Sequence, residues 1–513
     1  MGKYLIGIDV GTTGTKAMIL DKKGQIYGKG YGEYPCNYPS PNWVEQDVDL
    51  LVEETFKACK QAVTSSGLDP KEIEAVGFSC QRATFTLVDN NNQAIDNIFY
   101  GWQDNRGAEI LEEAMALVDP DTFFRSTGMP MAPTFTFIKL LWLIKKRPEL
   151  YEKAKYVAMM PEYIQYCFGA DDFYCEVTNA CTSGYLNPNT MDWADNIIDA
   201  FGFDKTKFPK LVKPGDIVGK VTPTTAEKTG LAVGTLLVAG SGDQQCAAIG
   251  AGVIEDGYAS LTLGTAGLLV VGTKNLVLED VPGVMATSSA SLGLYNLEGI
   301  QLGAASSYRW ARDELAEIEV AFGKKTGLDP YEVMDYHIQK SPVGSKGIVF
   351  MPFLTGSGYP YWNPEAKGIF AGLTFAHSKS DMIRSVMEGI TLESKDMYET
   401  MKKSGLLLKQ LAITGGATKS AAWRQIIADM FGVPIRKLEI PDATIVGAAV
   451  IAGVGAEWFN DVTEGVNSMV RYLETIEPVP ENVKKYNDIY DIYKNLYSAL
   501  NDNCIYSQFA KLK

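Results

Sequence analysis

The chain has 513 residues, too many for one ordinary hydrophobic core, and fits two domains of about 250 residues or three of about 150. Hydrophobic residues make up 46% of it and charged residues 21%, as in folded globular proteins, so disorder and low-complexity structure are excluded. The net charge of −15 repels a phosphodiester backbone, and we expect no nucleic acid partner.

Cysteine and histidine usage limits the chemistry. The eight cysteines form no CxxC pair, which argues against a structural zinc site or a dense disulfide framework. Only two histidines occur, His337 and His377, so carboxylates are the expected acids and bases. No apolar run reaches about 18 residues, and no signal-type segment opens the chain. We therefore expect no membrane partner and a cytoplasmic location.

The first half of the chain is predicted to open as a β-meander and to continue as mixed strands and helices. The predicted elements are strands over 4–10, 16–20, 25–34, 73–78 and 84–88 and a helix over 49–66. Glycine-containing turns separate the first three strands. Strands that alternate with helices up to about residue 246 indicate an α/β fold.

Near residue 253 the pattern starts again. A strand over 258–263, a Gly-Thr-Ala-Gly turn and a second strand over 268–271 repeat the arrangement of residues 4–20. Two similar halves that face each other across a cleft explain both the length and the restart. We expect an N-terminal domain of residues 1–248 and a C-terminal domain of residues 249–513. The later predicted helices lie over 304–322, 379–404 and 420–431 and beyond about 482.

Asp9 and the turn after it form the first candidate phosphate site. Glycines let a turn expose its N–H groups, threonine hydroxyls add donors, and an aspartate at a strand end can hold a phosphate-bound Mg²⁺. The spacing is neither a Walker A loop nor a dinucleotide fingerprint, and an ordinary Gly-Thr hairpin is the alternative. The candidate contacts are Gly11, Thr12, Thr13, Thr15 and Lys16.

Two further glycine turns lie in the second half of the chain. Gly264 and Thr265 follow a predicted strand, as Gly11 and Thr12 do in the first half. A glycine pair, Gly415-Gly416, lies between another strand and a helix and would let a ribose or a flat ring approach the backbone. A plain strand-to-helix turn is the alternative for that pair.

Two aspartates are candidates for acid–base chemistry or for binding a hydroxylated substrate. Asp243 follows Gly240-Ser241-Gly242 at the end of a predicted strand, and Asp104 follows Trp102-Gln103. Deprotonating a hydroxyl for attack on a phosphoryl group needs one positioned carboxylate. A turn or salt-bridge role is the alternative for either aspartate.

Together these motifs resemble the FGGY family of carbohydrate kinases over nearly the whole chain. Residues 43–47, Trp-Val-Glu-Gln-Asp, are similar to the family's WVEQD segment, and residues 368–389 follow its C-terminal signature. Residues 415–425 resemble its adenosine motif. Gly303 and residues 310–313 resemble the helix that closes the nucleotide site.

The resemblance implies two ribonuclease-H-like domains of the actin and hexokinase ATPase type flanking a catalytic cleft. It implies transfer of the ATP γ-phosphoryl group to a sugar hydroxyl, with ATP and Mg²⁺ as cofactors. Asp243 matches the catalytic base and Asp9 the Mg²⁺-associated aspartate. The implied substrate contacts are Gln81, Arg82, Trp102, Gln103, Asp104 and Gln244. The implied nucleotide contacts, besides those of the first turn, are Gly264, Thr265, Gly303, Gly415, Gly416, Ala417 and Lys419.

The substrate is less sharply indicated. Residues 81–84, Gln-Arg-Ala-Thr, lie where xylulokinase-like members carry Gln-Met-His and glycerol kinases Gln-Arg-Glu. Residues 102–104 and 243–245 favour glycerol kinase, whereas residues 368–389, 415–423 and 447–453 favour xylulokinase. We expect D-xylulose to be converted into D-xylulose 5-phosphate.

The alternatives are glycerol kinase, a kinase of another ketose, polyol or autoinducer sugar, and a non-catalytic, actin-like nucleotide-gated sensor. The expected partners are the sugar and ATP. The oligomeric state stays open, with a homodimer as one candidate.

Overall fold

The structure is a computed structural model that describes residues 3–276, 278, 282–291 and 293–512. The strands of the first half are β1 Tyr4–Val10, β2 Gly14–Asp21, β3 Ile26–Glu33, β4 Glu45–Asp47, β5 Ile73–Cys80, β6 Phe85–Val88, β7 Ile98–Tyr100, β8 Tyr156–Met159, β9 Tyr174–Glu176, β10 Leu186–Asn187, β11 Asp192–Trp193, β12 Lys210–Val212, β13 Ile217–Lys220 and β14 Leu236–Gly242. Those of the second half are β15 Tyr258–Leu263, β16 Gly267–Thr273, β17 Met285–Ser288, β18 Tyr295–Gln301, β19 Val349–Met351, β20 Ile369–Ala371, β21 Gln410–Gly415, β22 Ile435–Leu438 and β23 Tyr472–Ile476.

Helices lie between these strands. In the first half they are α1 Val48–Ser66, α2 Leu111–Leu117, α3 Pro120–Thr127, α4 Thr136–Lys146, α5 Pro148–Lys153, α6 Met160–Phe168, α7 Val177–Cys181, α8 Asp195–Phe201, α9 Pro223–Thr229 and α10 Asp243–Gly250. In the second half they are α11 Ala305–Leu315, α12 Glu317–Thr326, α13 Pro330–Lys340, α14 Lys379–Met401, α15 Ala421–Phe431, α16 Ala443–Gly455, α17 Val462–Met469, α18 Pro480–Asp502 and α19 Ile505–Lys511. None of the described helices is both long enough and apolar enough to cross a membrane.

Each half of the chain contains one large mixed sheet, and the first half also holds the four-stranded sheet β4-β7-β6-β8. The first large sheet has the strand order β13-β14-β5-β1-β2-β3 and the second β17-β18-β16-β15-β21-β22-β23. In the first sheet β1 pairs antiparallel with β2 and parallel with β5. In the second, β15 pairs antiparallel with β16 and parallel with β21. The predicted restart is therefore confirmed, because the hairpins that carry the two Gly-Thr turns occupy the same place in the two sheets.

Helix α16 joins the two halves. It is apolar along nearly its whole length, and its Ile445, Ala448 and Ala452 lie in one hydrophobic cluster with Leu5 and Val238 of the first sheet. Gly447 makes the close packing possible, since a β-carbon there would lie 1.9 Å from the carbonyl oxygen of Cys246 in α10. A helix from the second half of the chain thus forms part of the core of the first sheet.

One predicted helix is wrong in extent. The helix expected over 304–322 is two helices, α11 and α12, separated at Ala316, whose backbone angles (φ −126°, ψ 36°) leave the helical region. Ala316 is fully buried, and neither glycine nor proline marks the break. Tertiary packing of α11 and α12 on different neighbours therefore overrides the local helical preference.

Candidate active site

Both halves of the chain line one cavity of about 240 Å³. Four predicted site residues meet there: Asp9 at the end of β1, Lys16 on β2, Gln244 in α10 and Gly415 at the end of β21. Asp442, just before α16, also lines it, and its carboxylate accepts from the Lys16 ammonium with an Nζ–Oδ1 distance of 2.7 Å. The cavity therefore carries charged groups of both signs, with one carboxylate from each half and the ammonium of Lys16 from the first.

Asp9 is the carboxylate at the β1 edge of this cavity. It accepts a hydrogen bond from the Ser79 hydroxyl, with an Oγ–Oδ1 distance of 2.9 Å. Burial, together with the negative charge of Asp243, raises the pKa of Asp9 to about 7. Because burial and a neighbouring negative charge disfavour the ionised form of Asp9, a cation beside it is favourable. A metal ion bound to phosphate would supply that cation.

The turn after β1 is tied to the loop after β7, which carries Trp102. Gly11 closes the turn by donating its N–H to Gly14 O at 3.0 Å. The Thr12 hydroxyl accepts from the Trp102 indole N–H, with an Nε1–Oγ1 distance of 2.9 Å, and Thr13 is exposed. Thr15, by contrast, is fully buried and bonded to the Tyr34 and Thr55 hydroxyls. The structure therefore brings Thr12 and Thr13 to the turn surface but directs Thr15 into the core.

The second and third glycine turns lie side by side. Strands β15 and β21 run parallel, so Leu263, just before Gly264, pairs with Gly415, and the carboxyl ends of both strands meet at one sheet edge. Gly415 has φ +84°, and a β-carbon there would lie 2.5 Å from Leu263 O. Thr265 O accepts from the Ala304 N–H at 3.1 Å, which docks the second turn on the start of α11.

The remaining predicted nucleotide contacts surround this edge. Gly303 is buried directly before α11 and accepts from Ser307 through its carbonyl. Gly416, Ala417 and Lys419 form the short 3₁₀ turn Gly416–Lys419 after β21, with Gly416 and Lys419 exposed. These residues share one edge of the second sheet with the cavity.

Asp243 is the first residue of α10 and directly follows β14. Its Oδ1 accepts from the Arg82 Nε–H at 3.0 Å and from the Gln244 N–H at 2.7 Å, and 31% of its side chain is exposed. Burial and the negative charge of Glu298 raise its pKa, while the Arg82 guanidinium opposes that rise. The result is a carboxylate that is both oriented and more basic than usual.

Gln81 and Arg82 follow β5 at the same end of the first sheet. Arg82 forms two near-parallel hydrogen bonds to the Glu298 carboxylate, Nη1–Oε1 2.7 Å and Nη2–Oε2 2.8 Å. Gln81 donates to Gln46 Oε1 at 2.8 Å, and its own buried Oε1 has no hydrogen-bond partner. Gln81 therefore keeps one free acceptor, whereas most of the Arg82 donors are occupied.

Trp102, Gln103 and Asp104 lie together on the loop after β7 but differ in exposure. Trp102 is 38% exposed and Gln103 is also exposed. Asp104 is fully buried, and its carboxylate accepts from the Val44 N–H at 2.7 Å and from Arg106 at 2.8–3.0 Å. The protein thus supplies the partners of Asp104, which joins the WVEQD segment to the loop after β7.

Two buried charged residues beside the candidate site were missed by the sequence analysis. Lys139 in α4 is fully buried and donates to Ala83 O at 2.7 Å and Gly101 O at 2.6 Å, so it joins the loop after β5 to the loop after β7. Glu298 is the one charged residue of β18, and it is buried there beside apolar Leu297 and Ile300 and polar Asn296 and Gln301. A charged residue inside a strand that reads as core was the signal that could have found Glu298.

The paired hairpins, the shared cleft and the carboxylate at the end of β14 define a two-domain ATPase fold of the actin and hexokinase class. Family models named FGGY family of carbohydrate kinases match residues 4–250 (N-terminal domain) and 259–456 (C-terminal domain). The chain therefore belongs to the FGGY family of carbohydrate kinases and is an ATP-dependent sugar kinase.

Relatives within the family differ in their named substrates. The chain is 27% identical to a xylulose kinase of Bacillus subtilis over 98% of both chains. It is 30% identical to a glycerol kinase of Halothermothrix orenii over 90% of this chain and 91% of the relative. Solved structures of a ligand-bound xylulose kinase and a gluconate kinase, both from Lactobacillus acidophilus, each superimpose with a TM-score of 0.90 at 25% identity. They cover 99% of this chain and 100% and 99% of their own.

Proposed function

We propose that this sugar kinase phosphorylates D-xylulose, giving D-xylulose 5-phosphate and ADP. Ala83 is the observation that carries the choice of sugar. It lies between Arg82 and Thr84 in the substrate loop and offers no side-chain acceptor for a glycerol hydroxyl. Full-length similarity to xylulose kinases supports the proposal.

In the proposed reaction Asp243 acts as the general base. A sugar hydroxyl oxygen attacks the γ-phosphorus of ATP, the bond from that phosphorus to the β,γ-bridging oxygen breaks, and the hydroxyl proton passes to the Asp243 carboxylate. The raised pKa of Asp243 suits this role, because a more basic carboxylate takes the proton more readily. ADP then carries away the former bridging oxygen.

We propose that Mg²⁺ accompanies ATP. Among the described residues no group of three or more His, Cys, Asp or Glu side chains forms a metal site, so the ion would need phosphate oxygens as well. Asp9 fits it, because this carboxylate lines the cavity beside the negative charges of Asp243 and Asp442 and its own pKa is raised. When bound, the ion would neutralise charge on the transferring phosphoryl group.

The contacts are proposed from exposure and free hydrogen-bonding groups. In this proposal the sugar is contacted by Gln81 Oε1, Trp102, Gln103, Gln244 and the remaining Arg82 N–H. Asp104 and Thr15 instead hold the surrounding backbone in place. The proposed nucleotide contacts are Gly11, Thr12, Thr13, Lys16, Gly264, Thr265, Gly303, Gly415, Gly416, Ala417 and Lys419. We also propose residues 1–248 and 249–513 as the functional domains, a homodimer and a cytoplasmic location.

Glycerol kinase is the second candidate. The relative with 30% identity carries that name, and Arg82 with Trp102-Gln103-Asp104 matches the glycerol kinase pattern. Gluconate is a third substrate to test, since a structure with that name superimposes equally well.

A coupled ADP-release assay over ketopentoses, polyols, glycerol and gluconate tests the proposal. We expect D-xylulose to give the highest kcat/KM, and mass spectrometry to find the phosphate on its C5 oxygen. Higher kcat/KM for glycerol or gluconate would overturn the assignment of the sugar. ADP release that no sugar stimulates would contradict the kinase mechanism itself.

A further inference from the structure

Glu298 connects the base to the opposite half of the molecule. It lies on β18 of the second sheet, whereas Arg82 and Asp243 belong to the first half. Its side chain is fully buried, and it pairs with Arg82 through both carboxylate oxygens at 2.7 and 2.8 Å. The third Arg82 contact, from Nε, goes to Asp243. A single guanidinium thus joins the base to a carboxylate 55 residues further along the chain (298 − 243).

The neighbours of Glu298 fix its position. Its Oε1 also accepts from Gln245 Nε2 at 2.7 Å and from the Thr287 hydroxyl at 3.1 Å. Gln245 lies two residues after the base, in the first turn of α10, and itself donates to Thr287 at 2.7 Å. Because every donor around Glu298 comes from the base region or from the adjacent strand β17, the network leaves Glu298 little freedom to move.

We propose that Glu298 is a positioning residue for the proposed base, Asp243. Glu298 holds the Arg82 guanidinium from the second sheet and so directs Arg82 Nε at Asp243. It also shares the positive charge of Arg82, which would otherwise pair with Asp243 alone. This inference rests on the proposed role of Asp243. It assigns to the second half of the chain a part in orienting the base as well as in binding ATP.

Charge balance explains why a second carboxylate is needed. Arg82 paired with Asp243 alone would form a strong ion pair, which lowers the pKa of a carboxylate by about 1–3 units and makes it a poor base. Glu298 shares the guanidinium and so leaves Asp243 basic. The other titratable groups that act on Asp243 are Asp9 from β1, Cys80 from β5 and Cys246 from α10.

Four proteins test this: wild type, Glu298→Gln, Arg82→Gln and the double variant. The measurement is kcat against pH at saturating sugar and ATP. We expect Glu298→Gln to lower kcat about 10- to 100-fold. We also expect the acid limb of the kcat–pH profile, where kcat falls as Asp243 is protonated, to move about one pH unit lower. Arg82→Gln should move the limb towards higher pH, because Asp243 then faces Glu298 with no cation between them. The acid limb of the double variant should lie at a pH between those of the two single variants.

Glu393→Gln is the matched control. Glu393 is another buried glutamate of the second half, whose pKa burial raises strongly, and glutamine matches it in size and shape. We expect its profile to coincide with that of the wild type.

The double variant also covers the case in which Glu298→Gln fails to fold, since it removes both partners of the buried Arg82–Glu298 pair together. Its acid limb is then compared with that of Arg82→Gln. The inference would be overturned if Glu298→Gln left the acid limb of the kcat–pH profile in place, whether kcat were unchanged or lower. It would also be overturned if the double variant and Arg82→Gln had acid limbs at the same pH. The proposed function fails separately, if Asp243→Asn keeps its activity.

Discussion

Trp102 donates its indole N–H to the hydroxyl of Thr12 at 2.9 Å and thereby joins the loop proposed to bind sugar to the turn proposed to bind phosphate. Both groups are partly exposed, so a ligand can reach them. A second link runs beneath, where Gln46 donates to Thr12 O at 2.7 Å and accepts from Gln81. The two binding surfaces of the first half are therefore mechanically connected.

Replacing Trp102 by phenylalanine removes this bond and keeps an aromatic ring. A net hydrogen bond contributes about 0.5–1.5 kcal/mol, and we expect kcat/KM for the sugar to fall about fivefold. Trp362→Phe is the control, since Trp362 has a similar exposure of 40% and donates its indole N–H to Gly283 O at 3.0 Å. Equal losses in the two variants would contradict the proposed link.

Asp243→Asn tests the base. The amide keeps the shape of the carboxylate but cannot take the proton, and a positioned general base contributes about 10²–10⁴-fold. We expect kcat to fall by that factor in steady-state assays while ATP affinity changes little. Asp195→Asn, at the exposed first position of α8, should behave as the wild type. An Asp243 variant with more than half of the normal kcat would remove this residue from the role.

Asp9→Asn tests the proposed Mg²⁺ contact. Loss of the negative charge should weaken binding of the metal–nucleotide complex and lower turnover. A titration of Mg²⁺ at fixed ATP should then reach half-maximal activity at a higher Mg²⁺ concentration. Asp21→Asn, at the far end of β2, is the control and should leave the curve in place. A coincident curve for Asp9→Asn would argue against the contact.

Glu162 should make the stability of the protein depend on pH. Its side chain is buried, Oε2 accepts from the Met159 N–H at 2.9 Å, Oε1 has no partner, and burial raises its pKa to about 8. The folded state therefore keeps a proton that the unfolded state loses above about pH 4.3. Its contribution is complete below that pH and is lost as the pH rises through about 8.

Glu162→Gln keeps the acceptor and cannot ionise. We expect the difference in the free energy of unfolding, variant minus wild type, to increase by at least about 1 kcal/mol between pH 5.5 and 8.5, measured by urea denaturation. Glu53→Gln, an exposed site on α1, should show no such increase. A pH-independent difference for Glu162→Gln would mean that this carboxyl group titrates normally.

The sequence predicts the two hairpins well, because apolar strands around Gly-Thr turns carry strong local signals. The site is less predictable where side-chain direction matters. Thr15 and Lys16 are neighbours on β2 and, since successive side chains point to opposite faces of a sheet, only Lys16 reaches the cleft. Strict attention to this alternation would have separated the two residues.

Other features depend on contacts that no local pattern contains. One partner of Asp104, Arg106, lies two residues further on, but the other, the Val44 N–H, lies 60 residues earlier in the chain, so the sequence shows only part of the contacts of this carboxylate. Glu298 and Arg82 are 216 residues apart in the chain and come from different halves of it. The break at Ala316 likewise results from packing, because the residues on either side continue the helical pattern.

The last prediction concerns the choice of sugar and rests on Ala83. Ala83 is only 5% exposed, its backbone is left-handed at φ 53°, and its carbonyl oxygen is held by Lys139. A missing hydrogen-bond partner for a substrate hydroxyl costs about 1–3 kcal/mol. We therefore expect kcat/KM for D-xylulose to exceed that for glycerol by at least about tenfold, roughly 1.4 kcal/mol.

Ala83→Glu should narrow that ratio, because a carboxylate at this position supplies the acceptor that a glycerol hydroxyl lacks and fills space that the larger sugar needs. Ala83→Gln controls for side-chain volume and should narrow the ratio less, since an amide oxygen accepts more weakly than a carboxylate. The ratio is compared rather than either rate, so that a loss of stability at this buried, left-handed position cancels. If Ala83→Glu leaves the ratio of the two kcat/KM values unchanged, the side chain at position 83 does not determine substrate specificity. A wild-type enzyme that phosphorylates glycerol better than every ketopentose would show that this interpretation of Ala83 is wrong and would favour the glycerol kinase alternative.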